Sequence, residues 1–403
     1  MSVVKIENSF LRGEINIPPS KSVAHRAMIC SFLAGGGNVS PIIDSNDMKA
    51  MEQVIGALKD GGDVIDCIES GNTLRFMIPV IAALGRKVTF VGKGRLPERP
   101  IGEYLKILPE HGVKCISNGK LPLSIEGNLT SGKYEIAGNI SSQYITGLLL
   151  SLPILDGNSE IILTTELQSK PYVDMTIKVM SDFGVYVEKT KNGYLVKGNQ
   201  TYKKRDYIVE GDWSQAAFFL AAGVINGDII LKGLDINSPQ GDKEIVNILK
   251  KFGGDIEINK NYIRIKKSNL IGTQIDVSDV PDTVPALSVV SSFAKGTTII
   301  NGTQRLKFKE SDRSKSVVSN LNKLGISARD EIDKIIINGG DIKGTKLDGY
   351  NDHRIVMAFS VAGLCSKGEV TITDAEAIKK TYPQFFEDYN SLGGKINVIY
   401  NRE

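Results

Sequence analysis

Six stretches of the chain are apolar at nearly every position, open with small polar or charged residues and stop near a glycine. Ala27 to Ala34 follows Ser20-Lys21-Ser22 and stops at Gly35, and Met77 to Leu84 follows Asn72-Thr73 and stops at Gly85. Tyr144 to Leu155, Ala216 to Ile225, Val284 to Ala294 and Ile355 to Cys365 repeat the pattern. Their openings are Ser141-Ser142-Gln143, Gly211-Asp212, Pro281-Asp282 and Asn351-Asp352-His353-Arg354. Hydroxyls and carboxylates cap helix starts, glycine ends helices, and a helix apolar all round is buried. β-Rich runs such as Val88-Thr89-Phe90-Val91 and Ile229-Ile230-Leu231 usually follow. Alternating with these are amphipathic segments that end at Gly62, Gly112, Gly184, Gly253, Gly325 and Gly393, at steps of 50, 72, 69, 72 and 68 residues. So regular a step predicts an internal repeat: six copies of buried helix, strand, amphipathic helix and strand, three to a domain, divided near Glu210. The short first step predicts that the first copy lacks a hairpin, and the strand Val3 to Ile6 fits either half.

Composition adds little to this picture and excludes some roles. A chain of 403 residues is too long for one ordinary core. Its 41% hydrophobic and 24% charged content is that of a soluble globular protein. A net charge of +3, with no long basic run, suggests neither a nucleic-acid nor a membrane partner. Four scattered cysteines and three histidines form no metal-binding spacing, and free thiols in the cytoplasm are the simplest reading. The first residues lack a signal-peptide core, and Ile145 to Leu155 is too short to cross a bilayer.

The chemistry gathers at the helix starts. Pro18 to Ala27 places Ser20, Lys21, Ser22, His25 and Arg26 where helix dipole and free amides favour an anion, although an ordinary cap with solvated basic residues reads the same way. Recurrence shifts the balance, since Arg99, Arg313, Arg354 and Lys380 lie at or near the equivalent starts. Lys309-Glu310-Ser311-Asp312-Arg313 is either a capping cluster or an acid/base, Glu310, between anion-binding cations. Asp282 is either a plain cap or a base in a cationic pocket. Arg354, opening a buried helix, needs a partner that an anionic ligand would supply. Gly127 to Lys133 matches the front of a phosphate-binding loop, but Tyr134 replaces the magnesium-binding hydroxyl and no apolar helix follows, so it reads as a turn.

The stretches Ser20 to Arg26, Glu98 to Gly102, Ser141 to Gln143, Ser169 to Asp174, Val209 to Asp212, Pro281-Asp282, Lys309 to Arg313, Tyr350 to Arg354 and Lys380 to Pro383 occur in the order of a known family. On them the chain resembles the 5-enolpyruvylshikimate-3-phosphate synthase (3-phosphoshikimate 1-carboxyvinyltransferase) family over essentially its full length. The resemblance implies an α/β, two-domain enolpyruvyl transferase fold, each domain made of three repeated helix–strand units with buried parallel helices, an inside-out α/β barrel. Residues 20–209 would form the first domain, 1–19 with 210–403 the second, and the active site would lie in the cleft between them. It implies transfer of the enolpyruvyl group of phosphoenolpyruvate to the 5-hydroxyl of shikimate 3-phosphate, a step of aromatic amino-acid biosynthesis, by a cytoplasmic monomer with no cofactor and no metal. Ser22, Arg26, Ser141, Ser142, Ser169, Tyr172, Asp282 and Lys309 would hold shikimate 3-phosphate. Gly71, Arg99, Gln143, Arg313, Arg354 and Lys380 would hold phosphoenolpyruvate, and Lys21 would touch both. Asp282 would be the base, Glu310 the proton donor, with Lys21 assisting. Three positions depart from the family pattern: Pro19 for glycine, the run Ser70 to Arg75, and Arg305, which receives no role. The related enolpyruvyl transferase acting on UDP-N-acetylglucosamine is the nearest rival; it should show Lys-Asn at the opening motif, where Lys21 is followed by Ser22, and a reactive cysteine in a loop. A non-catalytic binder of phosphorylated metabolites is the rival of another class.

Overall fold

The computed structural model describes residues 2–400. The chain divides into two compact units: Pro19–Val209, and the stretch up to Pro18 together with Glu210 onward. Twelve α-helices occur among the described residues. In the first unit they are α1 (Lys21–Leu33), α2 (Asn46–Lys59), α3 (Gly71–Ala83), α4 (Gly102–Glu110), α5 (Ser142–Ser151) and α6 (Lys170–Asp182). In the second they are α7 (Trp213–Asn226), α8 (Ile245–Lys251), α9 (Val284–Phe293), α10 (Arg313–Lys323), α11 (His353–Ala362) and α12 (Phe385–Ser391). The odd-numbered helices, α1, α3 and α5 in one unit and α7, α9 and α11 in the other, are the apolar ones. Every residue of α7 is buried. Among the described residues, no helix is long and apolar enough to cross a membrane.

Among the described residues, five four-stranded sheets share one order, a parallel pair followed by two antiparallel pairings; the last two strands form a hairpin in four of them and are Ser2–Glu7 and Lys395–Tyr400 in the fifth. In the first unit the orders are Val64–Asp66, Val88–Val91, Leu123–Gly127, Val113–Ile116, and Lys133–Ile136, Ser159–Leu163, Gly193–Val196, Val187–Thr190. In each of these two, the buried helix connects the parallel pair, and the amphipathic helix ends at Gly112 or Gly184, whose φ of 83° and 78° favours a residue without Cβ, before the hairpin. The sixth copy is reduced. Val39–Ser40 pairs in parallel with Tyr207–Ile208, and no hairpin follows α2. That missing hairpin is what the short first step in the glycine spacing predicts.

The N-terminal residues complete sheets of the second unit. Ser2–Glu7 lies antiparallel between Val370–Thr373 and Lys395–Tyr400, with Val4 opposite Ile372 and Val398. Leu11–Asn16 runs parallel to Gly227–Lys232. Gly127 to Lys133 joins two strands of adjacent copies with no helix behind it, so it is a turn. Within the first unit α3 packs on α5, α5 on α6, and α1 on α2 and α6; within the second α7, α9 and α11 pack on one another. Their apolar bodies make the core, so their polar first turns are left to meet.

Candidate active site

In the first unit, the first turns of α1, α3 and α5 are tied together by polar side chains. Ser20, Ser70 and Ser141 each cap a helix, accepting from the backbone N–H of Val23, Thr73 and Gln143. Lys21 opens α1, and its Nζ lies 2.6 Å from an Asp47 carboxylate oxygen, both side chains nearly buried. His25 contacts the Lys21 carbonyl through Nδ1 at 2.9 Å and the Thr73 hydroxyl of α3 through Nε2 at 3.4 Å. Burial, only partly opposed by Asp47, pushes the His25 pKa down to about 4, so the ring is neutral at pH 7. Arg26 braces α1 against α6: Nε donates to Thr176 Oγ1 at 2.7 Å and Nη2 to the Tyr172 carbonyl at 3.0 Å, while Nη1 returns to Ser22 O at 2.6 Å. Burial lowers the Arg26 pKa to about 10, which leaves it a cation.

Ser169 precedes α6 with φ of 56°, and both it and Ser142 are buried. Gly71 opens α3 against Arg99. A Cβ added there would stand 2.3 Å from Arg99 Nη1, so only glycine leaves this guanidinium its seat. Gln143, on the first turn of α5, is held at both ends. Its Oε1 accepts from Arg75 Nη1 at 2.5 Å, and its Nε2 donates to Asn72 Oδ1 at 2.5 Å.

In the second unit the polar first turns of α9, α10 and α11 converge on one carboxylate. Asp282 Oδ1 accepts from Lys309 Nζ at 3.0 Å and Arg313 Nη1 at 2.8 Å, and Oδ2 from Arg354 Nη2 at 3.2 Å. Of the six buried helices, α9 is the one whose N-cap makes no side-chain hydrogen bond. Asp282 is therefore not a cap; its carboxylate faces the cations. Burial alone would raise its pKa, but Arg354, Lys309 and Arg313 hold it well below the usual carboxylate range. Arg313, almost wholly buried, also meets Glu310 Oε2 at 2.6 Å and Asp352 Oδ2 at 2.9 Å. Burial would lower its pKa, yet Asp352, Glu310 and Asp282 keep it above the ordinary arginine value. Asp352 is fully buried, caps α11 through the Arg354 N–H, and accepts from Ser311 Oγ. Lys380, at the end of the turn Ala375–Lys380, is buried and donates to the Asn351 carbonyl at 2.8 Å. Arg305 donates to the Ser278 carbonyl.

Sequence reasoning gave no role to Asp47, Asn72, Arg75, Ser311 or Asp352. All but Asp47 sat in a quoted motif, but the partner of each lies at least 26 residues away in sequence. Among the described residues, no group of three or more His, Cys, Asp or Glu side chains is gathered as a metal site would need. What the two clusters offer instead is fixed cationic donors beside carboxylates, a setting that binds anions and moves protons.

A family model described as EPSP synthase (3-phosphoshikimate 1-carboxyvinyltransferase) matches residues 6–62 and 52–389. A Clostridium novyi protein named 3-phosphoshikimate 1-carboxyvinyltransferase is 42% identical over 429 residues, covering 98% of this chain and 99% of the relative. A Clostridium acetobutylicum protein of the same name is 44% identical over 424 residues, with the same coverage. The solved EPSP synthase of Acinetobacter baumannii superposes with a TM-score of 0.82 at 25% identity, covering 99% of this chain and all of that one. The enolpyruvyl transferase NikO of Streptomyces tendae, at 16% identity and a TM-score of 0.79 over 99% of both chains, shares the fold.

Proposed function

The chain belongs to the EPSP synthase (3-phosphoshikimate 1-carboxyvinyltransferase) family, and from that premise we propose that it transfers the enolpyruvyl group of phosphoenolpyruvate to the 5-hydroxyl of shikimate 3-phosphate, releasing phosphate. One observation carries the reading furthest: Asp282 is held by Lys309, Arg313 and Arg354 instead of capping its helix. A protein that only bound anions would gain nothing from a carboxylate that competes for its cations. A transferase that must take a proton from an alcohol does gain from one.

In this reading the C3 methylene of phosphoenolpyruvate takes a proton from Glu310 while the 5-hydroxyl oxygen bonds to C2 and yields its proton to Asp282. The tetrahedral adduct then breaks its C2–O bond to phosphate, which leaves with the alcohol proton held by Asp282, and returns a methyl proton to Glu310, forming the enol ether. Lys21, Ser22, Arg26, Ser141, Ser142, Ser169, Tyr172 and Lys309 hold shikimate 3-phosphate; Gly71, Arg99, Gln143, Arg313, Arg354 and Lys380 hold phosphoenolpyruvate, with Lys21 common to both. With its pKa far below neutrality, Asp282 is a weak base while three cations clamp it. Substrate phosphate and carboxylate groups competing for Lys309, Arg313 and Arg354 release that clamp and raise its basicity. Arg26, its nitrogens already engaged by protein oxygens, contributes mainly charge and the position of Ser22 and Tyr172.

The rival acting on UDP-N-acetylglucosamine needs a reactive thiol. Cys115 lies within the strand Val113–Ile116, and burial pushes its pKa up to about 11, away from a thiolate. A monomer in the cytoplasm is the state we favour; the four free cysteines, two of them buried, support the compartment. Phosphate release should require phosphoenolpyruvate and shikimate 3-phosphate together; release with UDP-N-acetylglucosamine as the only acceptor would overturn the assignment. Asp282→Ala should lower kcat by at least about a hundredfold with a smaller change in either substrate's KM. An unchanged kcat would remove it as the base.

A further inference from the structure

Arg75 is buried and charged, yet none of its hydrogen bonds is to a carboxylate. Nε and Nη2 donate to the Pro100 carbonyl at 3.2 and 2.9 Å, and Nη1 donates to Gln143 Oε1 at 2.5 Å. Its guanidinium also lies 5.4 Å from the centre of the Tyr144 ring. Burial and the neighbouring Arg99 both lower its pKa. A buried cation so placed is costly, and what its donors hold is informative: the residue following Arg99 on one side, and Gln143 on the other.

The polarity of the contacts is forced. Arginine has only donors, so Gln143 must turn its carbonyl oxygen to Arg75. Its NH2 end then faces Asn72, which must in turn present its own carbonyl oxygen, at 2.5 Å. With the carbonyl end locked on a cation, the Gln143 amide can offer only N–H groups elsewhere, the polarity an anion needs. Asn72 stands in the run Ser70 to Arg75 that departs from the family pattern, and it is half-buried.

The geometry points to Arg75 and Asn72 as positioning residues that fix the amide orientation of Gln143, and Arg75 also the Arg99–Pro100 segment, for phosphoenolpyruvate. The inference rests on the reaction proposed above. The test is steady-state kinetics with each substrate varied in turn. Asn72→Leu should raise KM for phosphoenolpyruvate about tenfold, the effect of one lost orienting hydrogen bond. KM for shikimate 3-phosphate should stay within about twofold. In a Gln143→Ala background Asn72→Leu should have no further effect, because its action runs through that amide. Arg75→Lys keeps the charge but cannot span both acceptors, and should show the same selective rise. An unchanged KM for phosphoenolpyruvate in Asn72→Leu, an equal rise for both substrates, or a full effect persisting without Gln143 would overturn the inference. Failure of the proposed reaction itself would show separately, as no two-substrate phosphate release by the unsubstituted protein.

Discussion

Single residues in these clusters are defined by what they displace or attract. Gly71 matters because of the atom it lacks: a methyl group there would stand 2.6 Å from Arg99 Cζ and push the guanidinium aside. Because that guanidinium ends a flexible side chain, Gly71→Ala should fold normally and keep its melting temperature. Its KM for phosphoenolpyruvate should rise about tenfold or more, since small displacements of an orienting group are costly; an unchanged KM would separate Arg99 from that substrate. Asp282 illustrates how far a residue reads in isolation. Its position after Pro281 allowed a cap or a base, and only the arrival of Lys309, Arg313 and Arg354 distinguishes them.

At the scale of elements, the helix starts combine caps with buried titratable groups. His25 links α1 to α3 and is held neutral by burial, with a pKa of about 4 against 6.5 in an unfolded chain. Between those values the unfolded chain binds a proton that the folded chain refuses, so stability falls as pH drops from about 6.5 to 4. The loss is about 3 kcal/mol for this shift, and denaturant titrations across that range should show it. His25→Gln should remove that part of the acid sensitivity; an identical pH profile in the variant would assign it to other groups. The elements themselves were largely legible. Apolar periodicity, caps and terminal glycines are local signals, and all six buried helices and their amphipathic partners stand where those signals lie. Strand pairing was less so: nothing local in Ser2–Glu7 says that it joins Val370–Thr373 and Lys395–Tyr400.

For the whole molecule, each of the two compact units carries one group of the proposed substrate-binding residues. If both groups serve one pair of substrates, ligands must stabilise both units. With each ligand at a hundred times its dissociation constant, the gain should be about 2.7 kcal/mol per site, followed by hydrogen exchange in α1 and α3 as well as α9 and α11. Protection confined to one unit would remove the other unit's residues from the proposed substrate contacts. Chelation with EDTA should leave turnover unchanged, because lysines and arginines supply the positive charge in this reading.

The sequence by itself determined the repeat, the buried helices with their caps and the reduced first copy, because spacing, capping and glycine termination act over a few residues; the proposed site residues came from the motifs shared with the family. The tertiary structure alone decided which polar groups meet. Arg75 reaches Gln143, Lys21 reaches Asp47, and Arg354 reaches Asp282 across 68, 26 and 72 residues of chain. Such pairings depend on how helix ends are brought together by packing of their apolar faces, which no local pattern encodes.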